Sequence, residues 1–455
     1  MKNRDQYKRL TEFIEIAILF AIETGIYLLI WTVLYEEMTL APLFRRGNWA
    51  IVASYPILLM IFAKIFGAFK ISSRKVDVIF SHIGVYLVSN VLSYFIIVLA
   101  TRVYVSVWPL AMLFIAETAL TVIWSFVVKR INVVLFPTRE LLFIHGDYIY
   151  KNIVLNMNSK SDRYLVKETI SSDEDISIIK NKIDGYESIL ISDLPATLRN
   201  DILKYCYDTC KRVYMLPKIS DILVRSATDV HVGDVQIFLL KNFGLTAEQQ
   251  FIKRAFDILI SGIAIVLTGW LMVIIAIFIH AEDGGPVFYR QERLTKDSKI
   301  FKIIKFRSMR VDAESKGARL SSKGDDRVTR VGRFIRLTHL DELPQLFNVF
   351  KGDMSMVGPR PERPQIMKEY IENVPEFKFR LKVKGGITGY AQIYGKYNTM
   401  PYNKLRLDLI YIQNYSFWLD LKCLVLTAKV VFRKETSEGV EEGQTTALNE
   451  EGRAK

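Results

Sequence analysis

Four apolar runs in the first third of the chain limit its possible folds more than any other feature. Residues 13–34, 49–66, 78–100 and 107–128 carry almost no charge, and each is near the ~20 residues an α-helix needs to cross a bilayer core. Half of the 455 residues are hydrophobic and the mean hydropathy is positive, a combination that is rare in a soluble protein of this size and directs attention to membrane segments. Flanking Lys and Arg orient such runs, because they stay on the cytoplasmic side. Lys2, Arg4, Lys8 and Arg9 precede the first run, Lys70, Arg74 and Lys75 lie between the second and third, and Lys129 and Arg130 close the fourth. The opposite loops hold Arg45, Arg46 and Arg102. The pattern predicts a four-span bundle over residues 1–137 with both ends cytoplasmic. No small-residue cleavage site follows the basic start, so the first run is expected to be a retained anchor rather than a signal peptide. Glu15, Glu23 and Glu117 fall within the runs. There they either mark a polar route through the membrane or pair inside the bundle.

Residues 138–245 change character. Short apolar runs at 141–145, 188–192 and 212–216 alternate with polar or amphipathic stretches, which predicts a small α/β domain with a parallel sheet. Gly146 stands alone after the first run, so the clustered glycines of a dinucleotide fingerprint are missing. The expectation is a Rossmann-like domain with a regulatory or packing role. Three cysteines, Cys206, Cys210 and Cys423, cannot build a disulfide framework, in keeping with a reducing compartment. Cys206 and Cys210 are read as ordinary thiols, with a redox or metal pair as the alternative.

A fifth apolar run, residues 255–280, is long enough to span. The charges object: Lys253 and Arg254 precede it, while Lys296, Lys299, Lys302, Lys305, Arg307 and Arg310 follow it. A crossing would leave the second cluster outside, against the positive-inside bias. A helix that enters and returns, breaking near Thr268-Gly269-Trp270, resolves the conflict. Next come Arg327, Arg330, Arg333 and Arg336 at every third position, then Asp341-Glu342. Converging guanidinium forks hold phosphate oxygens in pairs. A basic ridge alone is usually a solvated or lipid-facing surface, but this one abuts two carboxylates. Neighbours on a helix point about 100° apart, so the two carboxylates take different roles. Gly352-Asp353 and Gly358-Pro359-Arg360-Pro361-Glu362 follow. They suit either an anion-binding backbone with a fixed Arg360 or a rigid turn.

Lys305-Phe306-Arg307-Ser308-Met309, the run from Asp326 to Leu346, Gly352-Asp353-Met354-Ser355 with Val357-Gly358-Pro359-Arg360-Pro361, and Gly386-Ile387-Thr388-Gly389 resemble the bacterial sugar transferases. These are monotopic polyprenyl-phosphate glycosyl-1-phosphate transferases. The likeness runs from about Lys253 to Arg433, and the upstream bundle plus α/β module resembles the long form that initiates exopolysaccharide, capsule or O-antigen repeat units. The resemblance implies that Asp341 attacks the sugar-bearing phosphorus of a UDP-sugar and releases UMP. Polyprenyl (undecaprenyl) phosphate then takes the phosphosugar. It further implies that Asp341 and Glu342 are the catalytic pair, that Lys305, Arg307, Arg336 and Arg360 hold phosphates, and that Mg²⁺ offsets diphosphate charge. Glu342 is the chosen metal ligand, with Asp353 as a further candidate. This chain departs from the family at Gly269-Trp270, where a Ser-Pro pair usually breaks the re-entrant helix, and at Gly385, where Pro is usual.

The predicted architecture is a membrane protein of α plus α/β class. It comprises the bundle at 1–137, the α/β domain at 138–245, a mainly helical catalytic domain at 250–435 and a disordered tail at 436–455. Residues 405–412 and 417–432 are expected to lie in the membrane interface, with core packing as the alternative. The net charge of +13 suits membrane lipid and a phosphate-bearing substrate rather than nucleic acid. Homo-oligomers are possible partners, and the expected location is the bacterial inner membrane with chemistry on its cytoplasmic face. Two other functions fit parts of the pattern: a nucleotide-sensing membrane scaffold and a lipid-linked sugar transporter.

Overall fold

A computed structural model describes residues 7–36, 45–69, 75–146, 150–158, 164–240, 243–310, 327–395 and 399–431. The basic residues Lys2, Arg4, Lys70 and Arg74, Asp326 and the tail at 436–455 lie outside the described residues. The chain falls into two compact units, Met1–Lys218 and Ile219–Lys455.

The first unit opens with α1 (Lys8–Ile30), α2 (Arg45–Phe66), α3 (Lys75–Thr101) and α4 (Trp108–Leu135). All four are long and apolar enough to cross a membrane. They share a core that includes Leu19, Tyr27, Tyr55, Leu59, Tyr86, Ile97 and Leu113, while Leu29, Leu99, Ile115 and Ile123 face outward. Glu15, Glu23 and Glu117, the acidic residues of the apolar runs, each have a partner. The Tyr86 hydroxyl donates to Glu23 and the Tyr55 hydroxyl to Glu117. Asn90 Nδ2 donates to Glu117 at 2.9 Å and Asn132 Nδ2 to Glu15 at 3.2 Å. An apolar outside around partnered carboxylates is the inversion that a hydrocarbon solvent favours.

Next come β1 (Arg139–His145), α5 (Tyr150–Asn158), β2 (Tyr164–Ser171), α6 (Ile176–Asp184), β3 (Ser188–Ser192), α7 (Ala196–Asp208) and β4 (Arg212–Met215). The strands form one parallel sheet in the order β2-β1-β3-β4. Alternate residues of β1 serve two layers, as the period of two demands. Leu142 and Ile144 join Ile179, Ile183 and Ile202 on one face, while Leu141 and Phe143 join Ile153 and Met157 on the other. The strand β2 had no counterpart in the sequence reading. Cys206 is buried and Cys210 exposed, so the two thiols occupy different environments.

The second unit begins earlier than the expected boundary at 245. In α8 (Ile219–Arg225), Ile219 and Ile222 pack with Leu245, Val357, Met367 and Leu409. An antiparallel hairpin, β5 (Thr228–Val232) and β6 (Val235–Leu239), leads to α9 (Ala247–Asp283). A capping box at Thr246 and Gln249 starts α9, and left-handed Gly284 ends it. The helix is continuous through Gly269, so the break expected there is not present. One Gly costs only ~1 kcal/mol in a helix, and without Pro every backbone N–H remains a donor.

The remainder comprises the hairpin β7 (Phe288–Leu294) and β8 (Ile300–Phe306), then α10 (Arg330–Leu337), α11 (Gln345–Lys351), β9 (Ser355–Val357), α12 (Pro364–Asn373), β10 (Gly386–Thr388), α13 (Tyr390–Tyr394), α14 (Pro401–Gln413) and α15 (Phe417–Val431). The interfacial placement expected for 405–412 is corrected. Leu405, Asp408, Leu409, Tyr411 and Ile412 of α14 are buried in the core of the unit.

Candidate active site

The acidic pair sits on a joint between two short helices. Thr329 caps α10 through the Gly332 N–H at 2.9 Å. Glu282, at the end of α9, accepts from the Arg330 and Val331 N–H groups at 2.7 and 3.2 Å. A carboxylate there complements the positive end of α10. After Thr338 the chain passes through His339 in the left-handed region, φ 56°. This uncommon conformation for a non-Gly residue turns the backbone into a single 3₁₀ turn, Leu340–Glu342. Asp341 and Glu342 therefore diverge by about 120°, not by the α-helical angle, and α11 starts just beyond them.

The clamp between β8 and α11 is Asn348. Its Oδ1 accepts from the Ile304 N–H at 2.9 Å and its Nδ2 donates to the Lys302 carbonyl at 2.9 Å. That register brings Lys305 Nζ to 2.6 Å from Glu342 Oε1. Arg360 Nη2 reaches the same oxygen at 2.9 Å from the Pro359-Arg360-Pro361 loop. The loop is held by Gly386 N donating to the Pro359 carbonyl at 2.9 Å. A Cβ at Gly386 would stand 2.1 Å from the Gly358 nitrogen, so the two strands approach this closely only as glycines. Arg293 Nη1 steadies the loop by donating to the Pro361 carbonyl at 3.1 Å. Next to it, Glu362 pairs with Lys404 at 3.2 Å and Arg380 at 3.4 Å. Burial opposes charge on Glu362, but Lys404, Arg380 and Arg293 outweigh it and hold the carboxyl at about 2.

The two catalytic candidates differ in electrostatics. Burial disfavours the charged form of Glu342, yet Lys305 and Arg360 hold it well below the usual carboxylate range. Asp341 is shifted upward, because burial and the charge of Glu342 outweigh the pull of Lys305, Arg336 and His339. Among the described residues the Asp341 carboxylate has no hydrogen bond or ion pair. Nη1 of Arg336 is buried and has no partner either.

Of the six side chains expected to act with the substrate, Asp341, Glu342, Lys305, Arg336 and Arg360 converge. Arg307 is placed elsewhere. It pairs with Asp283 and lies under Gly285, where a Cβ would meet its guanidinium at 2.2 Å, so it ties β8 to the end of α9. Asp353, the further metal candidate, accepts from Asn348 at 3.2 Å and pairs with Lys351 at 3.6 Å. It closes the turn after α11 and joins neither Asp341 nor Glu342. Among the described residues no three His, Cys, Asp or Glu side chains form a metal cluster. The Asp341 carboxylate and Glu342 Oε2 still present hard oxygens. That suits Mg²⁺, which takes one or two carboxylates and shares the rest of its shell with substrate phosphates and water.

The sequence reading missed a second polar set. Lys253, Asp257 and Ser261 recur every fourth residue of α9 and are buried. Lys253 Nζ pairs with Asp420 at 2.6 Å and donates to the Tyr411 hydroxyl at 3.1 Å. Asp257 Oδ1 accepts from Ser355 Oγ at 3.0 Å and from the Met356 N–H at 2.9 Å. The spacing of four within an apolar helix was the available signal.

Residues 248–434 match the family model described as bacterial sugar transferase. A UDP-N-acetylgalactosamine-undecaprenyl-phosphate N-acetylgalactosaminephosphotransferase of Aeromonas hydrophila is 40% identical over 222 residues, 48% of this chain and 52% of that protein. A UDP-glucose:undecaprenyl-phosphate glucose-1-phosphate transferase of Escherichia coli is 36% identical over 225 residues, 48% of each chain. This chain thus spans about half the length of those relatives. A shorter Bacillus subtilis protein, provisionally named an undecaprenyl-phosphate N-acetylgalactosaminyl 1-phosphate transferase, is 49% identical over 136 residues, 30% of this chain and 76% of that protein. The carboxylate pair, its cationic clamp and the glycine-linked loop all lie within the matched segment, and the chain belongs to the bacterial sugar transferase family.

Proposed function

We propose that the protein transfers a sugar-1-phosphate from a UDP-sugar to undecaprenyl or a related polyprenyl phosphate and releases UMP. The observation that carries this reading is the asymmetry of the acidic pair: Glu342 is held by Lys305 and Arg360, while Asp341 is unpaired beside them. An Asp341 oxygen attacks the phosphorus that bears the sugar, the bond to UMP breaks, and UMP leaves with the bonding electrons. A phosphate oxygen of the polyprenyl phosphate then attacks the same phosphorus, and the bond to Asp341 breaks to restore the carboxylate. Lys305, Arg336 and Arg360 stabilise negative charge on the non-bridging oxygens. Mg²⁺, held by Glu342 with Asp341 nearby, supplies further charge neutralisation when bound.

Membrane depth fits this chemistry, because one reactant is soluble and the other is anchored in lipid. We place the four N-terminal helices across the bacterial inner membrane and the catalytic unit at its cytoplasmic face. The named relatives share undecaprenyl phosphate and differ in sugar, so the donor sugar is left to experiment. Membrane-extracted protein incubated with undecaprenyl phosphate, Mg²⁺ and a panel of UDP-sugars is expected to release UMP with one or a few of them. Asp341→Asn should lower that rate by at least about a thousandfold. A variant that turns over like the parent, or product formation with no phosphosugar trapped on Asp341, removes the proposed nucleophile.

A further inference from the structure

The face that α10 presents to its surroundings is not explained by the core it packs on. Gly332 and Ile335 are buried, and Ile335 with Val331 packs against Met272, Ile275 and Ile279 of α9. Opposite them, at i, i+3, i+4 and i+7, stand Arg330, Arg333, Phe334 and Leu337, all exposed. Phe334 is 61% exposed and Leu337 63%. Two large apolar side chains flanked by two guanidinium groups are costly in water and suited to the boundary between lipid headgroup and acyl chain. The neighbouring surface of α9 continues the apolar band through Val266, Trp270, Val273 and Ile277, also exposed.

The position of this face favours one lipid over the bilayer at large. Leu337 is four residues from Asp341, and α10 runs directly into the His339 turn that carries the acidic pair. Arg336, on the same helix, has a buried Nη1 without a partner, and its charge acts on Asp341. A prenyl chain lying along Phe334 and Leu337 would bring its phosphate to Arg333 and Arg336, within reach of the phosphorylated aspartate. Bulk lipid has no need of that alignment.

We propose that the outer face of α10 is the seat of the acceptor, with Phe334 and Leu337 holding the prenyl chain and Arg333 steering its phosphate. The inference rests on the transferase reading above and adds the residues that select the lipid. Its test separates the two half-reactions in the full-length protein. Phe334→Gln and Leu337→Gln should each raise the KM for undecaprenyl phosphate by about tenfold, leave the UMP burst from the UDP-sugar unchanged, and weaken discrimination against the short acceptor farnesyl phosphate. Phe334→Leu, which keeps an apolar contact, should retain the parent KM. An unchanged acceptor KM in both Gln variants overturns the inference while the transferase reading stands. So does a parallel loss of burst and transfer, which would mark the face as packing or general membrane anchorage. A parent protein that shows no burst overturns both.

Discussion

Asp341 and Glu342 are neighbours in sequence but occupy opposite electrostatic settings, and the difference predicts a pH profile. Asp341 is shifted above the ordinary carboxylate value, mainly by burial. As pH falls it is protonated before an exposed aspartate, whose pKa is about 3.9, and a protonated carboxyl is a poor nucleophile. UMP release should therefore decline on an acid limb centred above that value. Glu342 stays ionised through the same window, because Lys305 and Arg360 hold it low. Lys305→Gln removes a cation that favours charged Asp341, so its limb should move to higher pH as well as its rate falling. Burst amplitudes measured from acid to neutral pH decide the matter: a limb that stays in place says that Lys305 does not act on Asp341. The acidic pair and its cationic neighbours were legible in the sequence as residue types, but their geometry was not. A repeat of three on a helix of 3.6 residues per turn drifts about 60° at each step. Of the regular arginines on α10, Arg336 therefore faces the acidic pair while Arg330 and Arg333 turn outward. Nothing in the local sequence announces that His339 takes a left-handed conformation, and that residue sets the angle of the pair.

At the scale of elements, the apolar runs were readable because length and hydrophobicity alone define them. The four apolar runs and the fifth are helices in the structure, with shifted ends, each long and apolar enough to cross a membrane. Elements whose identity depends on distant partners were not readable. The strand β7 carries Arg290, Glu292 and Arg293 and becomes a strand only by pairing with β8. Of the two phosphate-ligand candidates in the basic tract after the fifth run, Lys305 meets Glu342 while Arg307 meets Asp283. The Arg307–Asp283 pair joins β8 to the end of α9 while Glu282 holds the start of α10, so the carrier of the acidic pair is suspended from that corner. Asp283→Ala leaves Arg307 buried without its counter-charge. The expected cost is about 2 kcal/mol, below that of a fully buried pair because Asp283 is part-exposed. Thermal unfolding of the full-length protein should show a clearly lower midpoint, with kcat reduced through the displaced turn. A midpoint equal to the parent's would mean that the pair carries no load.

At the scale of the molecule, the grip on α9 decides how the second unit meets the membrane. Near its start, Lys253 pairs with Asp420 of α15 at 2.6 Å, and Arg254 donates to the Val349 carbonyl of α11 at 2.7 Å. Near its end, Asp283 pairs with Arg307 and Glu282 accepts from the Arg330 N–H. Asn348 links β8 to α11, so both ends of the helix hold one body. Thirty residues of straight helix extend about 45 Å, more than the ~30 Å of bilayer hydrocarbon. If α9 crossed the membrane, polar residues of a single compact unit would have to sit on both sides at once, with their ion pairs carried through lipid. The alternative keeps both ends on one side, the cytoplasmic one in the reading proposed above, and lets the exposed apolar side chains between them, such as Val266 and Trp270, enter the near leaflet. The basic tract beyond α9 then obeys the charge bias as well. Ser298, exposed in the turn between β7 and β8, gives the test. In a protein with Cys210 replaced by Ser, Ser298→Cys should react with an impermeant maleimide in inside-out membrane vesicles and stay unlabelled in intact cells. Labelling from outside would mean that the helix crosses, and the catalytic unit could not then hold its two ends in the way described.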